Sequence, residues 1–386
     1  MPIFVNHAFA RRLSIAALVI VSVRMAGDTT SAADPVRLEV RHPLPHQVVQ
    51  REGFDPHRAH DHQPGGPALG FALVPVEIDL AAAAADLPDN ATIDYRVVTL
   101  PDEKGEATSW SVVAGQRQGK LWTAVVRVAA GGWYRIEVRA RHGEQVVAVA
   151  AVEPVGVGEV FIIAGQSYAV GANDELTKVD DPQRRVVAYD AINKKWQVAN
   201  DPQPNAGDGG TIWPSCGNFL LPLARVPIGF VNVAVGGTST RQWLPGEELY
   251  QRLNAAGKTI GRFRAVLWQQ GESDVIEHRS TEYYVDNLVK IRTALAKAWG
   301  FEPPWLLAKS TLHPTVYDDP VGEERIRLAI DQLGTMPGFR PGPDTDILAG
   351  ENRGGLGTRR HFSGIGQRNA GLMWFATVWQ ELNRTP

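Results

Sequence analysis

The second half of this chain alternates two kinds of segment, and that alternation constrains its fold more than any other feature. Val160–Ala164, Ile228–Val235, Ala265–Trp268 and Trp305–Ala308 are short, mostly apolar runs. Such runs are the mark of strands buried on both faces. Between them lie stretches with helical spacing. Tyr284, Leu288, Ile291 and Leu295 fall on one stripe of a helix that starts near Thr281, and Ala370, Trp374, Val378 and Leu382 fall on another after Gly366. Both stripes read as core packing. Strand–helix alternation predicts a three-layer α/β domain over residues 154–386, with a mostly parallel sheet covered on both faces. In such sheets functional groups gather at the carboxyl ends of the strands.

Residues 33–153 read differently. Val36-Arg37-Leu38-Glu39-Val40 alternates apolar and polar side chains, the period of a strand with one buried face. Further runs follow at Phe71–Leu80, Ile93–Leu100, Trp122–Val128, Trp133–Val138 and Val146–Val152, with turn residues such as Pro101-Asp102 and Gly131-Gly132 between them. Short strands without helical periodicity predict a small antiparallel β-sandwich domain. Ala81–Ala85 reads as a helical turn or a bulge within it.

Residues 1–32 read as a signal peptide. Arg11 and Arg12 precede a short apolar segment, Leu13–Val23, and small residues around Thr30-Ser31-Ala32 follow. That pattern predicts a secreted or periplasmic protein. No later stretch is long and apolar enough to span a bilayer. A formal net charge of -3 over 386 residues gives no field that would gather nucleic acid or an acidic membrane. The single cysteine, Cys216, excludes an internal disulfide and a CxxC metal site. Arg58-Ala59-His60-Asp61-His62 is the densest group of metal-type ligands, and a solvated loop is its better reading. No metal and no other cofactor is expected.

Three loops carry the candidate chemistry, each directly after an apolar run. Gly165-Gln166-Ser167-Tyr168 follows the first. A serine on a tight turn after a strand is held rigidly, as a nucleophile must be, although serine also commonly caps a helix. Gly236-Gly237-Thr238-Ser239 follows the second, and glycines there let backbone N–H groups approach an oxyanion. Gln269-Gln270-Gly271-Glu272-Ser273-Asp274 follows the third. Gln270 could donate to an oxyanion, and Glu272 could orient a histidine. A serine hydroxyl needs a general base, and His361 in Arg360-His361-Phe362-Ser363 is the best placed. His278 and His313 are the rivals within the same domain.

Taken together, these loops resemble the SGNH-hydrolase superfamily, and within it the sialate O-acetylesterase and acetylxylan esterase-like group. The resemblance covers about residues 154–386. It implies an SGNH-type fold, Ser167 as nucleophile, Gly236 or Gly237 at the oxyanion with Gln270, and His361 as base. Two departures stand out. Tyr168 follows the nucleophile where the group usually has Asn, and Thr358 stands where the group has an Asp three residues before the base. An imidazole gains from an acceptor that fixes its tautomer. Glu272 is the first candidate for that role, then Asp346 and Glu351, with a Ser–His dyad helped by a backbone carbonyl as the alternative.

The expected function is therefore removal of acetyl groups from an acetylated carbohydrate through a serine acyl-enzyme, with no nucleic-acid or membrane partner. Two alternatives remain: a glycan-binding protein that keeps the fold without turnover, and an esterase for non-sugar acyl groups. A shallow cleft rimmed by Trp213 or Trp243 would favour sugar.

Overall fold

The computed structural model describes residues 35–59, 67–83, 87, 90–204, 207–354 and 359–384. The expected signal peptide, His60 to His62 and Thr358 lie outside them. Pro35–Pro386 forms one compact unit, and its class is α/β.

Among the described residues, the amino-terminal part contributes nine strands, β1 (Val36–Arg37), β2 (Glu39–His42), β3 (Val48–Gln50), β4 (Phe71–Asp79), β5 (Thr92–Thr99), β6 (Ser111–Val112), β7 (Gly115–Gln118), β8 (Leu121–Ala129) and β9 (Trp133–His142). A tenth, β10 (Gln145–Gly165), is 21 residues long. Strands β2, β4, β8 and β7 form a four-stranded antiparallel sheet. Its inward residues, Val74, Val76, Ile78, Val126 and Val128, share a core with Val97, Ile136, Val138, Ala148 and Ala150 from β5, β9 and β10. Period-two burial along β4 and β9 follows from this face-to-face contact.

The boundary expected at 153/154 is not a break in the chain path. Val146–Val152 and Val160–Ala164 read as two strands in the sequence, because Pro154, Gly156 and Gly158 interrupt the apolar pattern between them. They are one strand. Pairing of β10 with β9 slips between Val152 and Val155 and then resumes. Proline cannot donate to a ladder, so an irregularity of this kind is where a strand can hold one.

Beyond it, β10 is the middle of a second sheet region, with β11 (Val186–Asp190), β12 (Lys195–Val198), β13 (Ile228–Asn232), β14 (Ala265–Gln269), β15 (Trp305–Lys309) and β16 (Phe339–Asp344). The order is β12-β11-β13-β10-β14-β15-β16. All these neighbours pair in parallel except β12 with β11. After a four-residue helix α1 (Pro56–Ala59), the helices are α2 (Ser167–Val170), α3 (Trp213–Ala224), α4 (Glu248–Ile260), α5 (Glu272–Ile276), α6 (Thr281–Trp299), α7 (Pro320–Gly334) and α8 (Gly364–Leu382). Alternate strand residues choose their layer. Phe161, Ile163, Leu267 and Leu306 pack with Leu220 of α3 and Trp374 of α8. Ile162, Val266, Trp268 and Leu307 pack with Leu253, Leu288 and Ile330 of α4, α6 and α7.

One buried ion cluster ties the two regions. Glu159 accepts from Arg51 Nε at 2.7 Å, Gln50 Nε2 at 2.9 Å and Arg264 Nε at 2.7 Å. Burial alone would raise its carboxyl, but Arg264 and Arg51 outweigh that and hold it down to about 2.

Candidate active site

The candidate loops meet at the carboxyl ends of β10, β13 and β14. Gly165 makes the turn possible. Its φ is 130°, and a Cβ there would stand 2.0 Å from the Gln269 carbonyl oxygen. Only a glycine tolerates both conditions without strain. Gln166 N–H donates to that carbonyl at 2.9 Å, and Val235 N–H donates to the Gly165 carbonyl at 3.0 Å. The turn is thereby pinned between its two neighbours.

Ser167 opens α2 and is 6% exposed. Gln166 is the N-cap, without a side-chain cap bond, so the helix-cap reading of the serine does not apply. The leading N–H groups of a helix have no intrahelical acceptor and face outward as donors. Gly236 borders the serine: a Cβ on it would lie 3.9 Å from the Ser167 Cβ. At Gly237, φ is 69° and a Cβ would meet nothing within 4 Å. The second loop thus turns through a left-handed residue into open space beside the serine.

Gln270 is not the oxyanion donor expected of it. Its Nε2 donates to Asp274 Oδ2 at 2.7 Å, to the Thr238 carbonyl at 3.1 Å and to Gln166 Oε1 at 3.3 Å. Those acceptors fix the amide orientation and leave Oε1, an acceptor, buried without a partner. The sequence offered no sign of the residue with the opposite property. Gln166 Oε1 accepts from Ser273 N–H at 3.2 Å, which leaves its Nε2 buried and without an acceptor. Gln166, next to the serine, therefore holds the free amide donor. Asp274 anchors the arrangement, also accepting from Thr240 N–H at 2.8 Å and Thr240 Oγ1 at 2.7 Å.

Glu272 does not orient the histidine. It is 0% exposed. Oε1 accepts from Ser310 Oγ at 3.0 Å, and Oε2 accepts from Gly271 N–H at 3.1 Å. Burial pushes its carboxyl up to about 8, so it is largely protonated at neutral pH. The spacing that suggested Glu272 places it at the start of α5, where its side chain turns towards the end of β15. Asp346 accepts from Thr311 N–H at 2.9 Å, Thr311 Oγ1 at 2.7 Å and Arg327 Nη1 at 2.8 Å. Glu351 is exposed.

His361 comes to the site through Tyr168. The two rings pack edge-on, with centroids 5.3 Å apart and planes at 75°. His361 Nε2 is buried without a hydrogen-bond partner. Burial first, then Arg360 and Arg353, push the imidazole down to about 4, so at neutral pH it is unprotonated and able to accept a proton. His313 adjoins it. It is 4% exposed, its Nδ1 is buried without a partner, and burial with Arg360, His361 and Arg353 pushes it down to about 4 as well. His278 is a surface residue, 3.5 Å from Asp319.

Trp213 and Trp243 do not rim a cleft; both are 0% exposed. They brace the loops from beneath. Trp213 Nε1 donates to the Ala169 carbonyl at 2.8 Å, and Trp243 Nε1 donates to Thr238 Oγ1 at 3.2 Å.

The family described as carbohydrate esterase, sialic acid-specific acetylesterase, matches residues 157–309, a span that holds the Ser167, Gly236 and Gln270 loops. The resemblance to the sialate O-acetylesterase-like group holds. A probable carbohydrate esterase of Arabidopsis thaliana is 26% identical over 166 residues, covering 36% of this chain and 63% of that protein. The chain thus matches less than two thirds of that relative's length. A carbohydrate acetylesterase from Xanthomonas citri superposes with a TM-score of 0.57 at 17% identity, over 88% of this chain and 73% of that one. This is a likeness of fold, and it includes much of the amino-terminal region. Ser167 and its turn lie inside the matched span, whereas His361 lies beyond it.

Proposed function

We propose that this protein is a carbohydrate O-acetylesterase, exported from the cytoplasm, that cleaves acetyl esters on a glycan through a serine acyl-enzyme. The observation that carries the reading is the convergence of three features: Ser167 on a rigid turn, Gly236 beside it, and an unprotonated imidazole packed on the adjacent residue. In this mechanism Ser167 Oγ attacks the acetyl carbonyl carbon and its proton passes to His361. The N–H groups of Ser167 and Gly236, with Gln166 Nε2, receive the oxyanion. The tetrahedral intermediate expels the sugar alkoxide, which takes the proton back from His361. Water, deprotonated by the same imidazole, then attacks the acyl carbon, and the second tetrahedral intermediate expels Ser167 Oγ, which takes that proton from His361 as acetate leaves. The formal net charge of -3 supports a reading without a nucleic-acid or membrane partner.

A second reading, glycan binding without turnover, draws on one observation. The charges that shift His361 are those of two arginines, and a carboxylate partner would instead stabilise the imidazolium. The deciding experiment is hydrolysis of a chromogenic acetyl ester and of acetylated polysaccharides by the wild type and by Ser167→Ala. Ser167-dependent acetate release supports the esterase. Full activity in Ser167→Ala removes Ser167 from the mechanism, and glycan binding without hydrolysis selects the second reading.

A further inference from the structure

The residue after the nucleophile departs from the group's pattern, and its surroundings give it a task. The Tyr168 hydroxyl stands where three loops meet. The Leu312 carbonyl lies 3.1 Å away, one residue before His313. The Arg360 carbonyl, one residue before His361, is a second acceptor, and Arg353 Nη1 donates to the hydroxyl oxygen. One hydroxyl proton serves two carbonyls, and the arginine fills the oxygen from its other side. Arg353 is itself held, by the Leu348 carbonyl and by the Thr345 carbonyl at 3.3 Å. Its guanidinium lies over the rings of Tyr168 at 5.1 Å and Phe362 at 4.8 Å. Phe362 packs on Tyr168 with centroids 4.6 Å apart. His361 is thus flanked by a ring contact on one side and, through the chain atoms just before it, by the same tyrosine's hydroxyl.

We propose that Tyr168 and Arg353 are the positioning residues for His361, doing by ring contact and carbonyl anchoring what a carboxylate does in a Ser–His–acid triad. This rests on the esterase reading given above. A carboxylate holds an imidazole through its second nitrogen and stabilises the charged form. The Tyr168–Arg353 pair orients the ring but stabilises the neutral form, because among the described residues the charged and titratable groups that act on His361 are Arg353, Arg360 and His313, with the neutral phenol of Tyr168 packed against it. The developing oxyanion then supplies the negative charge that lets His361 hold a proton during turnover. A base built this way works in its neutral form well into acid.

Two substitutions separate the positioning task from plain stability. Tyr168→Phe keeps the ring against His361 and the charge of Arg353 but removes the anchor. Its kcat on a soluble acetyl ester should fall roughly 10- to 100-fold, with KM within about twofold and the His361 titration, followed by NMR of its ring protons, unmoved. Arg353→Met removes the charge, and the titration should rise by roughly one pH unit. Should Arg353→Met fail to fold, Arg353→Lys keeps the charge without the planar fork and should lose kcat with the titration unmoved. Wild-type kcat in Tyr168→Phe or Arg353→Lys, or an unmoved titration in a folded Arg353→Met, overturns the proposal. The titration needs no turnover. It still decides the placement of Arg353 if the wild type proves to have no Ser167-dependent hydrolysis, a result that would defeat the esterase reading alone.

Discussion

Glu159→Gln removes the one negative charge from the cluster that joins β3, β10 and the start of β14. Arg51 then keeps its charge in a site where its side chain is 0% exposed, with the Leu69 carbonyl at 3.1 Å as a remaining acceptor. Leaving a buried charge without its partner costs about 3–5 kcal/mol. The pH dependence gives an independent magnitude. Holding Glu159 at about 2, against an ordinary glutamate value of 4.5, corresponds to about 3 kcal/mol at about 1.4 kcal/mol per pH unit. A depressed carboxylate contributes its full share above the unfolded value and loses it as pH falls through the folded one. About 2 kcal/mol of that share should therefore be gone at pH 3. Urea unfolding of the wild type and Glu159→Gln at pH 7 and pH 3 tests both numbers. The variant should lose about 3 kcal/mol or more at pH 7, and the gap should narrow by about 2 kcal/mol at pH 3. Arg51→Met with Glu159→Leu should recover much of the loss, because Arg264, with 29% of its side chain exposed, can be hydrated. An unfolding midpoint for Glu159→Gln equal to the wild type at pH 7 would refute the reasoning.

Three further outcomes are expected. Glu272→Gln should keep kcat/KM within about tenfold of the wild type, since an amide replaces a mostly protonated carboxyl bonded to Ser310; losing a true triad carboxylate costs about 10⁴-fold, and a drop of that size would return Glu272 to the mechanism. Gly165→Ala should lower the melting temperature, because it adds roughly 1–3 kcal/mol of backbone strain to a clash with β14; an unchanged melting curve contradicts the tight turn. The kcat/KM profile should hold from neutral pH down to about 5 and fall through pH 4 as His361 gains its proton. A limb centred near the ordinary histidine value of 6.5 would show a base in different surroundings.

The elements with local signals were readable in the sequence, and those set by long-range contacts were not. Val160–Ala164 and Ala265–Trp268 announced β10 and β14 because both faces of each are covered. Helix α6 begins at Thr281 as its spacing predicted, with Ser280 Oγ accepting from Tyr283 N–H. Strand β16 escaped notice because Pro341, Gly342 and Pro343 disguise it. Strands β11 and β12, at the far edge of the sheet, were also missed. At the site, the loops after the apolar runs and the resemblance they carry together singled out Ser167, Gly236 or Gly237, and His361. They could not say where buried amides and carboxyls point. Glu272 and Gln270 sit in the expected loop, yet tertiary packing turns one towards Ser310 and commits the other to Asp274. Tyr168 looked like a mere departure until its hydroxyl was seen to join three loops.

The central claim is that Ser167 is a nucleophile activated by His361. A chromogenic organophosphate ester tests it without any choice of glycan, because it phosphorylates an activated serine and leaves a stable adduct. Intact-protein mass followed by peptide mapping should find a single adduct on Ser167, formed far more slowly in His361→Ala and absent from Ser167→Ala. An adduct on another residue, or none while acetyl esters are still hydrolysed, would contradict the account.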